Sequence, residues 1–191
     1  SVFLLEGIYF YNFTTPEFNV NVCQIPFWTL TIYYFWECFK DNKIQNWILL
    51  GLFAALGVLS KYLFIYLLIG MAAFLIFKLK NKKKFNYNYL IPISVFLLVL
   101  MPHFMWLVDN DFKTIAYGLK RTSVIEGNFL NHLLHPIKFI FKQIIILIPF
   151  FALLSLIISK FKFKFNFRDE KLIYLISITI VPILLMLLTS L

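Results

Sequence analysis

Residues 47–77 read WILLGLFAALGVLSKYLFIYLLIGMAAFLIF, an apolar run interrupted only by Ser60-Lys61-Tyr62 at its centre. One helix of these roughly 31 residues would be about 46 Å long, whereas the hydrocarbon core of a bilayer is about 30 Å thick. A strongly tilted helix is one interpretation, and two short helices that reverse direction at Lys61 are the other. Lysines on both flanks favour the reversal, because basic loops collect on one side of a membrane.

The composition is that of a membrane protein. Of the 191 residues, 61% are hydrophobic and 14% are charged, against about 45–50% and about 25% in soluble domains. These values exclude a disordered chain, a water-soluble enzyme domain and a disulfide scaffold. Cys23 and Cys38 lie about four helical turns apart, too far to bond to each other. We predict an all-α, polytopic transmembrane helical protein, with residues 1–191 as a single transmembrane region.

Four further apolar runs predict membrane spans at residues 20–39, 89–108, 137–158 and 172–189. The positive-inside rule then places 12 of the 18 basic residues in cytoplasmic loops. Residues 11–19, Lys61 and residues 109–136 are predicted to lie outside. The net charge of +9 is distributed in short loop tracts, so membrane lipid is a predicted partner and nucleic acid is not. The chain begins without Met and ends within an apolar run, so we expect a fragment that lacks the first span.

Lys61 is the most informative single residue. A lysine between two apolar segments is costly unless its amine reaches the interface or pairs with another group. Reaching the outer interface is one interpretation. The other is that its amine binds the phosphate of an anionic lipid as a point charge.

The segment before the first complete span carries a second set of polar residues. Thr15 is predicted to cap the following helix, with Glu17 in the first turn. The alternative is that Glu17 or Asn19 faces a sugar donor or acceptor.

A third set surrounds the predicted outer loop at residues 109–136. His103 lies within a span, where an ionisable group suggests function by default; the alternative is packing against Trp106 or a bond to a carbonyl freed near Pro102. Asp109 and Asp111 could hold a cation, orient a sugar or simply end the helix. Arg121 is predicted on an interfacial helix, where a guanidinium can bind a substrate phosphate or anchor to headgroups.

Motifs of soluble enzymes are missing from the sequence, including phosphate-binding glycine loops and nucleophile elbows. His132 and His135 have a spacing that fits one helix face, but no third ligand accompanies them. We therefore predict no metal site from the residues alone.

Three stretches resemble one family of membrane enzymes: Thr15-Pro16-Glu17, GLFAALGVLSKY at residues 51–62, and PHFMWLVDND at residues 102–111. They are similar to polyprenyl-phosphate-sugar glycosyltransferases, the bacterial relatives of protein O-mannosyltransferases and of the transferase that adds aminoarabinose to lipid A. The resemblance covers Thr15 to about Pro149.

This resemblance implies a GT-C membrane fold in a bacterial inner membrane, with the active face periplasmic. It implies transfer of a sugar from a polyprenyl-phosphate donor to an extracytoplasmic lipid, glycan or protein acceptor, with inversion. The catalytic carboxylate is expected before Ser1, so this stretch alone is expected to be inactive. A divalent cation is used by some relatives and not by others, which leaves the cofactor open. The alternative function is a transporter with a broken-helix site at Lys61.

Overall fold

The structure is a computed structural model that describes residues 17–81, 86–123, 129–158 and 169–189, together with residues 4, 7, 8 and 166. Seven long helices occupy this part of the chain. They are α1 (Val20–Asp41), α2 (Ile44–Ser60), α3 (Ile65–Asn81), α4 (Leu90–Asp109), α5 (Lys113–Ser123), α6 (Phe129–Ile158) and α7 (Glu170–Leu188). Short 3-10 turns at Tyr62–Phe64 and Tyr87–Tyr89 precede α3 and α4.

The long apolar run is broken at Lys61, as predicted. Lys61 is extended, with φ −162° and ψ 127°, and its N–H closes α2 on the carbonyl of Gly57 at 3.1 Å. Gly57 has no side chain, and a Cβ there would lie 2.4 Å from the ring of Phe64. The absence of a Cβ lets the Phe64 ring fold back against α2, so the chain turns within four residues.

Contacts between helices establish that the chain reverses direction. Phe39 packs on Trp47 near the α1–α2 turn, while the far end of α2 reaches Asn21 through Lys61; α1 and α2 are therefore antiparallel. Trp28 contacts Phe64 and Phe35 contacts Phe74, so α3 runs parallel to α1. The prediction of two short helices rather than one tilted helix is confirmed.

The later helices continue this alternation. Gly51 of α2 lies against Pro92 of α4, where a Cβ would stand 2.5 Å from the Pro92 carbonyl oxygen, so small residues bring the two helices together. Lys78 of α3 bonds Glu170 at the start of α7. The Tyr66 hydroxyl donates to Thr189 at the other end, at 3.1 Å. The bundle thus has two ends, which we name the Lys61 end and the Lys78 end.

Aromatic rings fill the core towards the Lys78 end. Phe74 is fully buried and packs edge-on against Phe35, Phe39 and Tyr174. The Tyr174 hydroxyl, carried on α7, donates to the Ile32 carbonyl of α1 at 2.6 Å. Each such ring pair adds about 0.5–1.5 kcal/mol beyond the area that it buries, so this cluster joins α1, α3 and α7 firmly.

Four segments of the described chain are long and apolar enough to cross a membrane: Tyr62–Lys80, Tyr87–Asp109, Pro136–Leu156 and Glu170–Leu188. The protein is therefore an all-α, polytopic membrane protein. The helix predicted over residues 20–39 exists as α1. Its polar side chains lower its mean hydropathy, so it is not one of these four segments. Helix α2, with 17 residues, is about 25 Å long and shorter than a typical hydrocarbon core.

The predicted outer segment at residues 109–136 contains helical structure, and the span that follows it was predicted correctly. Residues 113–123 form helix α5, which agrees with the interfacial helix expected around Arg121. Helix α6 begins at Phe129, about two turns before the span predicted from residue 137. Polar and histidine residues in its first turns lower the local hydropathy, so the apolar pattern marks only the later part of this helix.

Candidate functional site

The Lys61 side chain lies where three helices meet at one end of the bundle. Its amine donates to the Asn21 side-chain oxygen at 2.5 Å, across 40 residues of sequence. Asn21 lies in the first turn of α1, so the break after α2 and the start of α1 form one polar patch. Since Lys61 is partly exposed, its amine can also approach a ligand from outside the bundle.

Asn19 is the N-cap of α1, and the prediction that Thr15 caps this helix is wrong. The Asn19 side-chain oxygen accepts from the backbone N–H groups of Asn21 at 2.9 Å and Val22 at 3.2 Å. Its amide nitrogen donates to the Glu17 backbone carbonyl at 3.0 Å. Thr15 itself lies outside the described residues. Asn19 is thus engaged in the local turn, and Glu17 precedes the helix with an exposed side chain.

A cavity of about 210 Å³ opens beside this patch, on the face of α1 that carries Asn21. Its lining consists of Asn21, Gln24, Ile25, Trp28 and Thr29. The Gln24 side-chain nitrogen is buried and has no hydrogen-bond partner within the described residues. Burying an amide donor without a partner is costly, so an acceptor that reached this nitrogen would remove that cost.

One wall of the cavity is held rigidly. Trp28 packs edge-on against the buried Phe64 ring, with 5.4 Å between ring centroids. Because Phe64 follows the break at Lys61, the geometry of that break also fixes the position of the indole. Pockets with an aromatic wall and a few amide groups are typical sites for small polar molecules. The ring packs against an apolar face of the molecule, and the amides bond to its hydroxyls.

His103 belongs to a second polar group at the same end. Its Nε2 atom lies 2.9 Å from the Tyr62 hydroxyl, which also lies 2.9 Å from the Thr114 hydroxyl. The His103 ring stacks on Trp106 at 6.0 Å between centroids, so the predicted packing against Trp106 is present. Tyr62 therefore ties the break after α2 to both α4 and α5.

The remaining predicted residues are arranged around the turn between α4 and α5. Helix α4 ends at Asp109, and Asp111 and Phe112 both have positive φ, 52° and 53°, which makes this turn tight. Both carboxylates are exposed. Arg121 lies on α5, while its side chain is outside the described part. The structure thus brings Lys61 together with Asn21, while Asp109 and Asp111 lie at the turn after α4.

Within the described residues, no three His, Cys, Asp or Glu side chains come together in a group that could hold a metal ion. The side chains of His132 and His135 lie outside that description. That these two histidines share one helix face therefore stays a prediction.

Sequence reasoning missed the cavity residues Asn21, Gln24 and Trp28. Their spacing of three and four residues puts them on one face of a helix, and two of them are amides in an otherwise apolar run. These two amides at helical spacing were the feature of the sequence that could have indicated the cavity. The contact between Asn21 and Lys61, 40 residues apart, had no signal in the sequence.

The fold and this polar end are those of a polytopic helical membrane protein with an open polar cavity beside a helix break. A comparison with known protein families narrows this class to one family. The family model of dolichyl-phosphate-mannose-protein mannosyltransferases matches residues 1–106. This match covers more than half of the chain, and the chain belongs to that family.

Membership makes the protein a membrane glycosyltransferase in general terms, for which a lipid-linked sugar donor and an acceptor are expected. No curated protein and no solved structure matches the chain. The matched region contains α1, the break at Lys61 and His103. It ends before Asp109, Asp111 and Arg121, and it extends less far towards the C-terminus than the resemblance quoted above.

Proposed function

We propose that the protein transfers a sugar from a polyprenyl-phosphate carrier to an acceptor at the extracytoplasmic face of the membrane, with inversion at the anomeric carbon. One observation carries this proposal: the Lys61 amine and the cavity of Asn21, Gln24 and Trp28 share one polar patch at one end of the bundle. A lipid-linked sugar has a phosphate next to a polar ring, and this patch offers a cation next to a polar cavity.

The proposed roles follow from the chemistry of each group. The Lys61 amine contacts the phosphate, because an ammonium pairs with phosphate as a point charge. The Gln24 amide donates to a sugar hydroxyl, and the Trp28 indole covers the apolar face of the ring. Asn21 holds the Lys61 amine at the edge of the cavity.

The proposed reaction is a direct displacement. The acceptor oxygen forms a bond to the anomeric carbon, and the bond from that carbon to the phosphate oxygen breaks. The phosphate leaves with the electron pair, and a carboxylate takes the acceptor proton. Lys61 stabilises the negative charge that grows on the departing phosphate, an effect that is strongest in a site shielded from water. We assign the carboxylate to no residue of this chain, because Glu17 is exposed and precedes α1.

The proposed orientation places the Lys61 end outside the cell. It rests on the distribution of charge, since 12 of the 18 basic residues belong to segments next to the Lys78 end. A lipid-linked donor presented in the outer leaflet would then meet the cavity directly.

The test is a transfer assay with the full-length protein in membrane vesicles, supplied with radiolabelled polyprenyl-phosphate hexoses and pentoses. We expect label to leave the carrier and appear in a covalent product. Lys61→Ala should lower turnover about 100-fold or more, and Lys61→Arg should keep part of it. The matched control is Lys43→Ala, an exposed lysine at the opposite end, which should leave turnover unchanged.

Two results would contradict the proposal. Label that crosses the membrane without forming a covalent product would identify a transporter with a broken-helix site. Transfer that Lys61→Ala leaves unchanged would retain the enzyme and reject this site.

A further inference from the structure

The Lys78 end contains a second polar cleft, unrelated to the cavity beside Lys61. It has a volume of about 490 Å³ and lies between α1, α3 and α7. Its lining consists of Trp36, Phe39, Lys40, Lys78, Glu170 and Lys171. Three lysines and two aromatic rings therefore surround one cleft.

Lys78 forms the floor of this cleft. It is 6% exposed, its amine pairs with the Glu170 carboxylate, and the same amine lies 4.2 Å from the centroid of the Phe39 ring. A buried amine needs such compensation, because leaving water is costly for a charge. The pair of Lys78 and Glu170 is therefore neutral as a unit and rigidly placed.

The mouth of the cleft carries the remaining positive charge. The Lys40 side chain is 61% exposed, and its amine lies 3.6 Å from Glu37. The Lys171 amine has no ion pair within the described residues. Lys80 in the last turn of α3 adds another positive charge at this end, so an anion is attracted to it from a distance of about one Debye length.

The aromatic side of the cleft has a different chemistry. Trp36 is partly buried and stacks at an angle on Tyr174, with 5.0 Å between centroids, so its indole is fixed with one edge towards the cleft. Indole rings favour the level of lipid headgroups, where one side is apolar and the other is wet. A ligand that fits this arrangement has a phosphate at one end and an apolar chain at the other.

We propose that this cleft binds the phosphate of an anionic phospholipid from the leaflet at the Lys78 end, with Lys40 and Lys171 contacting the phosphate and Trp36 contacting the acyl chain. This lipid is separate from the sugar donor, which binds at the opposite end. Occupancy would bridge α1 and α7 and so stabilise the bundle by binding the folded state. The proposal does not depend on glycosyl transfer.

The test measures lipid binding by native mass spectrometry on the full-length protein in detergent, titrated with phosphatidylglycerol or with phosphatidylcholine. We expect phosphatidylglycerol to bind more tightly than phosphatidylcholine. Each lysine near an anionic headgroup is worth about a fivefold change in affinity, so Lys40→Gln with Lys171→Gln should weaken phosphatidylglycerol binding roughly 30-fold.

The matched control is Lys43→Gln with Lys80→Gln, which removes two exposed lysines at the same end that do not line the cleft. It should change affinity less than twofold. Equal losses in both double variants would show general charge attraction and overturn the proposal. Unchanged affinity in the cleft variant would also overturn it, provided that far-UV circular dichroism shows the same helix content in all proteins.

A last arm distinguishes a lipid from free phosphate. Inorganic phosphate is added at concentrations equal to that of the bound phosphatidylglycerol. We expect no displacement, because the phosphate ion lacks the chain that contacts Trp36. Complete displacement would mean that the cleft is a simple anion site, and the lipid assignment would be wrong.

Discussion

The two ends of the bundle each contain a lysine that bonds a side chain of another helix, but they use that lysine differently. Lys78 is buried, bonded to the Glu170 carboxylate and lies against the ring of Phe39. Lys61 is partly exposed and donates to the neutral amide oxygen of Asn21 beside an open cavity. The first arrangement suits a structural role, because the amine is enclosed by the protein. The second suits ligand binding, because the lysine is partly exposed beside an open cavity.

The chain context explains this difference. Lys78 belongs to the last turn of α3, where the helix continues past it and carries the side chain inward against α7. Lys61 lies between two helices in extended backbone, and its amine reaches across to Asn21 in the first turn of α1. A helix break thus produces an accessible cation where a continuous helix produces an enclosed one.

The largest expected effect is at the break itself. Gly57→Ala places a Cβ 2.4 Å from the Phe64 ring, and that ring cannot retreat because it is fully buried. We expect a loss of about 2–3 kcal/mol in the free energy of unfolding, measured by denaturant unfolding followed by circular dichroism.

The matched control for this change is Gly118→Ala at the same end, where the new Cβ meets no described atom within 4 Å apart from its chain neighbours and the backbone of its own helix. It should stabilise the protein by up to about 1 kcal/mol, since alanine is the better helix former. A similar loss in both variants would mean that the break at Lys61 is not held by packing.

The next effect tests the enclosed lysine. Glu170→Gln removes the charge that compensates the Lys78 amine, and we expect a loss of about 1–2 kcal/mol in unfolding free energy, since Glu170 is half-exposed. Combining it with Lys78→Met should restore part of that loss, because an apolar side chain fits the aromatic surroundings. If the double variant were less stable than Glu170→Gln alone, the pair would be doing more than compensating a buried charge.

At the Lys61 end, we expect a substitution to change substrate binding rather than the stability of the protein. Gln24→Ala removes the amide that we assign to a sugar hydroxyl, so KM for the lipid-linked donor should rise about tenfold. Thr29→Ala is the control, because the Thr29 hydroxyl already bonds the Ile25 carbonyl at 3.1 Å. Steady-state transfer kinetics give both values, and an equal rise in the two variants would contradict a specific role for Gln24.

The smallest effect concerns the hydroxyl that links the break to α4 and α5. Tyr62→Phe removes the bonds to His103 and Thr114, and we expect a loss of about 1 kcal/mol with faster amide exchange in α5. The comparison is Tyr66→Phe, which removes the bond to Thr189 and should leave exchange in α5 unchanged. If amide exchange in α5 were the same in both variants, the Tyr62 hydroxyl would not contribute to the stability of α5.

Local features of the sequence were sufficient to predict much of this fold. The excess length of residues 47–77 and the lysines on both flanks predicted the reversal at Lys61, because hydropathy and charge act along the chain. The same reasoning placed the later spans and the helix around Arg121. The capping residue was harder to predict because Thr15 and Asn19 are both good caps, and only the backbone of the folded chain distinguishes them.

The contacts that define the two ends could not be predicted. Asn21 and Lys61 are 40 residues apart, and Lys78 and Glu170 are 92 residues apart. Which helices are neighbours depends on tertiary packing, such as the close approach of Gly51 to Pro92, rather than on local propensity. The local sequence therefore does not show whether a lysine within or next to an apolar run becomes enclosed or accessible.

The most direct measurement of the central claim is the binding of labelled polyprenyl phosphate, without sugar, to the purified full-length protein. Lys61→Ala should weaken this binding at least tenfold, whereas Lys43→Ala should leave it unchanged. That result would place the carrier phosphate at the Lys61 end. Equal affinity in the wild-type protein and Lys61→Ala would contradict the account, because the accessible lysine would then have no part in holding the donor.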